Sequence, residues 1–155
     1  MKYILILFFL LSNSLYAKPK STDFKDWVLK CDESNKQCFL IQSVYYKKTK
    51  QRLVQFTVAK LEWGLSAIIT LPLGVLLPME VTFQIDNHQK FAYPYHSCNK
   101  NGCIAVIQLK KVLLKEFKAG NKCIITFYNI NKQSVGIPVS LRGFTKGVNS
   151  LKSIQ

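Results

Sequence analysis

Five cysteines and two histidines are the side chains with the widest chemistry in this chain, and their spacing sorts them. Cys31 and Cys38 have six residues between them, and Cys98 and Cys103 have four, Asn99-Lys100-Asn101-Gly102. Pairs this close can clip two hairpins as disulfides, because facing positions on paired antiparallel strands bring two Cα atoms within bridging range. Gly102 adds the freedom to take a positive φ in the second turn. The rival chemistry is metal binding, with His96 as a further ligand beside the four thiols. Zinc knuckles use C-x₂₋₄-C spacing, which the six residues between Cys31 and Cys38 exceed, and export favours oxidised thiols. Both arguments favour disulfides.

Cys123 is left over. It shares strand parity with Ile125 and Phe127, which reads as a small buried hydrophobe; the alternative is an intermolecular disulfide. His88 falls in a hairpin turn and His96 beside Cys98. Each is a general base by type, yet neither has a nucleophile and a carboxylate at triad spacing. The eight carboxylates are scattered, with Asp32-Glu33 in one turn and Asp86 in another, unlike a glycosidase pair. There is no G-x-S-x-G elbow, P-loop or H-E-x-x-H helix. The reading is a non-enzyme without a cofactor or metal, and a small hydrolase using either histidine is the remote alternative.

Basic residues are the other candidate chemistry. The formal charge is +14, and all but Arg52 and Arg142 of the 22 basic residues are lysines. A charge of that sign favours anionic surfaces, although lysine-heavy usage also simply solvates a surface. Two clusters stand out as a candidate anion-binding surface. Lys47, Lys48, Lys50 and Arg52 crowd one hairpin tip beside Tyr45 and Tyr46. Lys111, Lys115, Lys118 and Lys122 follow one side of a helix and its exit. Lysines interleaved with aromatics also occur in nucleic-acid binders, but the compartment argues against nucleic acid.

That compartment is read from the N-terminus. Met1-Lys2, an apolar run over 3–11 and a polar stretch ending on Ala17 have the three parts of a secretory signal peptide, with cleavage after Ala17. The apolar run is shorter than the roughly 20 residues of a spanning helix. Residues 18–155 then form a single domain, long enough to bury an ordinary core. No transmembrane segment follows the signal, and nothing in the sequence sets an oligomeric state.

Short apolar runs separated by turns must position these residues. Strands are expected over 27–31, 38–46, 52–61, 65–71, 81–85, 91–95, 104–109, 122–128 and 134–140. Residues 18–23 read as a loose lead-in, and 65–71 as a strand buried on both faces. Val54, Phe56 and Val58 share one face by alternation. Residues 110–119 are the one good helical stretch, stopped by Gly120, and the tail 141–155 adds a short helix. Many short strands with little helix predict an all-β sandwich or barrel.

The order of these features resembles the invasion-associated locus B (IalB) family of exported bacterial proteins. The resemblance runs from Trp27-Val28-Leu29-Lys30-Cys31 and Cys38 through Leu71-Pro72-Leu73-Gly74-Val75-Leu76-Leu77-Pro78, Val81 and Gln84-Ile85-Asp86. It continues with Tyr95-His96-Ser97-Cys98, Asn101-Gly102-Cys103 and Ala119-Gly120, and closes on Pro138-Val139-Ser140-Leu141-Arg142-Gly143-Phe144. It implies an immunoglobulin-like β-sandwich with structural disulfides at the four matching cysteines. It also implies localisation in the periplasm, outer membrane or medium, and a role in host-cell association or invasion, a virulence function. Expected partners are a host-cell surface or envelope component, with an anionic surface as the chemistry. A periplasmic envelope-maintenance or stress protein without a host ligand is the alternative.

Overall fold

The computed structural model describes residues 20–32 and 37–154. The expected signal segment, and the turn residues 33–36, lie outside them. Eleven strands and two helices are described: β1 (Ser21–Phe24), β2 (Trp27–Cys31), β3 (Cys38–Tyr45), β4 (Arg52–Leu61), β5 (Gly64–Leu71), β6 (Val81–Ile85), β7 (Lys90–Tyr93), β8 (Ser97–Asn99), β9 (Gly102–Gln108), α1 (Lys111–Ala119), β10 (Lys122–Tyr128), β11 (Ser134–Ser140) and α2 (Phe144–Ile154). They form a seven-stranded sheet in the order β1-β2-β3-β4-β5-β9-β8 and a four-stranded sheet in the order β11-β10-β6-β7. Every pairing is antiparallel. This is the β-sandwich expected, with one short helix and a C-terminal helix.

Alternation explains which face each strand buries. Val54, Phe56 and Val58 of β4 and Val81, Phe83 and Ile85 of β6 are buried, because side chains two apart point to one face of a pleated strand. Trp27, Phe56, Phe83, Phe117 and Phe144 are all fully buried and meet edge-on or tilted at centroid distances of 5.1–5.6 Å. Aromatic pairs at such distances add about 0.5–1.5 kcal/mol beyond area burial. This cluster joins both sheets and both helices. In α1, Leu113, Leu114 and Phe117 face it; in α2, Phe144, Gly147, Val148 and Leu151 do.

The structure corrects two expectations. Ser21–Phe24 is not a loose lead-in but an edge strand paired with β2. Its first three residues are exposed, so backbone pairing rather than an apolar pattern makes it a strand. In β5, Ala67, Ile69 and Leu71 are buried but Ile68 and Thr70 are only half-buried, so one face of this strand carries the core.

Glycine is required where the chain turns tightly. Gly102 has φ +131°, and a Cβ there would come within 2.1 Å of the Leu71 carbonyl oxygen. Gly143 has φ +93° and would place a Cβ 1.8 Å from the Phe24 carbonyl oxygen. The second of these turns α2 back over the first strands. Lys20 and Thr22, near the first described residue, and Ser150 and Ile154, at the end of α2, line one groove with Leu29 and Cys31.

Candidate binding surface

Strand register places every candidate residue. Cys31 faces Cys38 across β2 and β3, and Cys98 faces Cys103 across β8 and β9. Both pairs are disulfides with Cα atoms 4.0 Å apart. The thiols considered as zinc ligands are therefore bonded to one another. The two bridges lie at opposite ends and near opposite edges of the large sheet. Cys38 starts β3 level with the last turn of β4, whereas Cys103 pairs with Leu71 at the far end of β5.

One end of the sandwich, the loop end, gathers four connections: the β3–β4 tip (46–51), the β5–β6 connection (72–80), the β8–β9 turn (99–102) and the β10–β11 tip (129–133). Hydrogen bonds join them in two pairs. The Arg52 guanidinium donates to the Asn101 carbonyl at 3.0 Å. The Ile130 N–H donates to the Gly74 carbonyl at 3.0 Å, and the Leu76 N–H to the Tyr128 carbonyl at 2.8 Å. Val75 and Asn129 form an isolated bridge.

Lys47, Lys48 and Lys50 are exposed at this end, next to Tyr45 and Tyr46, which are 53% and 46% exposed. The tip is closed by its own backbone bonds, Tyr46 N–H to Gln51 and Lys50 N–H to Tyr46. Arg52 differs from its lysine neighbours: it donates to Gln55 as well as Asn101, so its guanidinium braces the loops.

The second basic cluster is at the opposite end. Lys111, Lys115 and Lys118 of α1 are joined by Lys152 of α2 around a groove floored by Leu109 and Leu114, with a volume of about 430 Å³. Lys118 donates to Asn149 Oδ1 at 2.6 Å. Lys122 does not line this groove; its N–H binds Asp86. The ten residues of β4 separate the two clusters by about 30 Å of strand, so the structure does not bring them together into one face. Lys152 was not singled out from the sequence. Its signal was the i, i+4, i+7 spacing of Phe144, Val148 and Leu151, which fixes the buried face of α2 and leaves Lys152 outside it.

The remaining titratable groups are apart. His88 and His96 are exposed. His88 Nδ1 lies 3.9 Å from Glu116 Oε2, beyond hydrogen-bond reach. Glu116 also borders a cleft of about 430 Å³ with Phe91, Tyr93, Gln108, Lys110, Val112 and Leu113. Asp86 accepts the N–H groups of Asn121 and Lys122, each at 3.0 Å. Those bonds, Asn121 first, hold its carboxyl below the usual carboxylate range. Burial pushes the Tyr95 phenol up to about 12. Cys123 is a free, fully buried thiol in the small sheet, and burial raises it to about 12. Among the described residues, no helix is long and apolar enough to cross a membrane.

Comparison with known proteins adds identity to this geometry. A family model described as "Invasion associated locus B (IalB) protein" matches residues 27–152. Two invasion protein B homologues of Brucella abortus, from strain 2308 and from biovar 1 strain 9-941, are each 20% identical over 142 residues. Each match covers 89% of this chain and 82% of the relative. The crystal structure of invasion associated protein B from Bartonella henselae superposes with a TM-score of 0.79 at 22% identity. That superposition covers 88% of this chain and 98% of the other.

Proposed function

Because this chain belongs to the invasion associated locus B family, we propose that it works as an exported, non-catalytic binding module whose partner is an anionic component of a host-cell surface or of the bacterial envelope. The observation that carries the reading is the placement of its lysines. They gather at the two ends of a braced sandwich, where three of α1 and one of α2 share a groove and three more crown a hairpin tip. Cationic side chains held on a rigid scaffold favour anionic partners and speed encounter with them. The two disulfides support an oxidising compartment, which agrees with export. The Brucella and Bartonella relatives carry invasion in their names, and that is the support for host-cell association.

The test is a deletion strain scored for host-cell association and entry, with the protein located by fractionation. Reduced association, restored by the wild-type gene, and recovery at the surface or in the medium are the expected results. Unchanged association with strict periplasmic retention would overturn the host reading in favour of envelope maintenance.

A further inference from the structure

We propose that the loop end of the sandwich is a docking surface for an anionic lipid bilayer. The proposal gives the binding module a specific surface and rests on that reading. Two independent features coincide there. The first is apolar: Leu73, Leu77 and Met79 of the β5–β6 connection and Ile130 of the β10–β11 tip are 61%, 55%, 40% and 69% exposed. These two segments are hydrogen-bonded to each other, so the four side chains belong to one joined platform. Large aliphatic groups held in water on adjoining loops mark an interaction site more often than isolated ones do. Tyr45 and Tyr46 are exposed on the β3–β4 tip. Aromatic side chains with a polar tip suit the headgroup level of a bilayer.

The second feature is charge. The four connections of the loop end carry Lys47, Lys48, Lys50, Lys100 and Lys132 against one carboxylate, Glu80. The other described carboxylates lie on the β1–β2 hairpin, at the opposite end or on α1. An apolar tip ringed by cations matches a surface that offers anionic headgroups outside and hydrocarbon beneath. A soluble polyanion would engage the lysines but give the four aliphatic side chains no partner. The lysine groove between α1 and α2 lacks such a crown, its leucines being buried on its floor.

The platform is also held firmly enough to insert. Two backbone bonds hold its own loops, Ile130 N–H to the Gly74 carbonyl and Leu76 N–H to the Tyr128 carbonyl, and Arg52 locks the neighbouring β3–β4 tip to the β8–β9 turn. Insertion therefore costs little ordering of the loops.

The test uses purified full-length mature protein and phosphatidylcholine vesicles with and without phosphatidylglycerol. Co-sedimentation is expected only with the anionic vesicles and is expected to fall as salt rises. Lys47→Glu/Lys48→Glu/Lys50→Glu, and separately Leu73→Ser/Leu77→Ser/Ile130→Ser, are each expected to weaken binding by about tenfold or more. Lys30→Glu/Lys90→Glu, two exposed lysines outside both clusters, is expected to leave it unchanged. Circular dichroism of each variant confirms that it is folded.

Tryptophan emission gives a second readout. Trp63 is exposed in the β4–β5 turn, away from the loop end, and Trp27 is fully buried. Emission of the parent protein is therefore expected not to shift on anionic vesicles, while a Leu77→Trp/Trp63→Phe variant shifts to shorter wavelength. Equal binding to neutral vesicles would overturn the proposal. So would binding lost only in the Lys30/Lys90 variant, or retention of soluble heparin without any emission shift on vesicles. Vesicle binding is measured without cells, so its failure is distinguishable from a failure of host-cell association.

Discussion

The Gln42 carboxamide holds Ser140 from both sides, across 98 residues of chain. Its Oε1 accepts the Ser140 N–H at 2.9 Å and its Nε2 donates to the Ser140 carbonyl at 3.0 Å. The same Nε2 donates to the Asp26 carbonyl at 2.8 Å. Trp27 Nε1 donates to the Ser140 carbonyl at 2.9 Å, and the Ser140 hydroxyl donates to Asp26 Oδ2 at 2.7 Å. One buried amide thus fastens the end of β11 to the β1–β2 turn. Gln42→Leu keeps the volume but takes this partner from the Ser140 N–H and the Asp26 carbonyl, while the Ser140 carbonyl keeps Trp27. The expected loss is about 2 kcal/mol, or a fall of about 8 °C in Tm for a domain of this size. Thermal denaturation by circular dichroism measures it.

The two disulfides occupy opposite corners of the large sheet, so their contributions should add. Each short loop is worth about 2–2.5 kcal/mol by chain entropy. Urea denaturation of Cys31→Ala/Cys38→Ala, of Cys98→Ala/Cys103→Ala and of the four-fold variant gives the cycle. The four-fold loss is expected to equal the sum of the two within about 0.5 kcal/mol. A larger coupling would mean that the two hairpins communicate through the sheet.

Asp86 makes stability depend on acid. Its folded carboxyl is held below the ordinary range by the Asn121 and Lys122 N–H groups, so the folded state favours the ionised form. The stabilisation is complete above the unfolded pKa, near 4, and is lost as pH falls through the lower folded value. Asp86→Asn keeps a residue type that tolerates the φ of 46° found there. The variant should be less stable than wild type at pH 6, and the gap should narrow as pH drops below about 4. Urea midpoints across that range check the sign.

Cys123 should be inert. Its thiol is fully buried, and burial holds it at about 12, far above the pH of the assay, so it stays protonated and unreactive. Ellman's reagent at pH 8 is expected to find no reactive thiol in the native protein and one after unfolding in guanidinium. Non-reducing electrophoresis is expected to show no covalent dimer, and Cys123→Ala to change nothing there. A dimer lost in that variant would overturn the buried reading.

The sequence made the core strands legible because their burial follows local alternation: Val54, Phe56 and Val58, or Val81, Phe83 and Ile85, need only their neighbours to be read. The ends of β4, β6, β10 and β11 were placed where the structure has them. β1 was missed because Ser-Thr-Asp-Phe carries no apolar period, and an edge strand can form through backbone pairing alone. β8 was missed because its three residues are all exposed. The hold of Gln42 on Ser140 joins residues too distant for any local pattern. The lysines were visible as clusters, but their separation depends on strand register, and the Lys152 contribution on how α2 folds back. Close approach was hidden too: a Cβ on Gly147 would lie 2.4 Å from Leu40 Cδ1, so α2 sits on β3 only because that position is bare.

The groove shared by Lys20, Thr22, Ser150 and Ile154 brings the first and last described residues to one corner, beside the Cys31–Cys38 bridge. That corner is at the far end from the loop platform. A linker, purification tag or immobilising tether added on either side would therefore hold the molecule by its base, with the platform facing away. Joining the two sides with a short peptide and opening the chain at the β4–β5 turn would yield a circular permutant that preserves the same orientation.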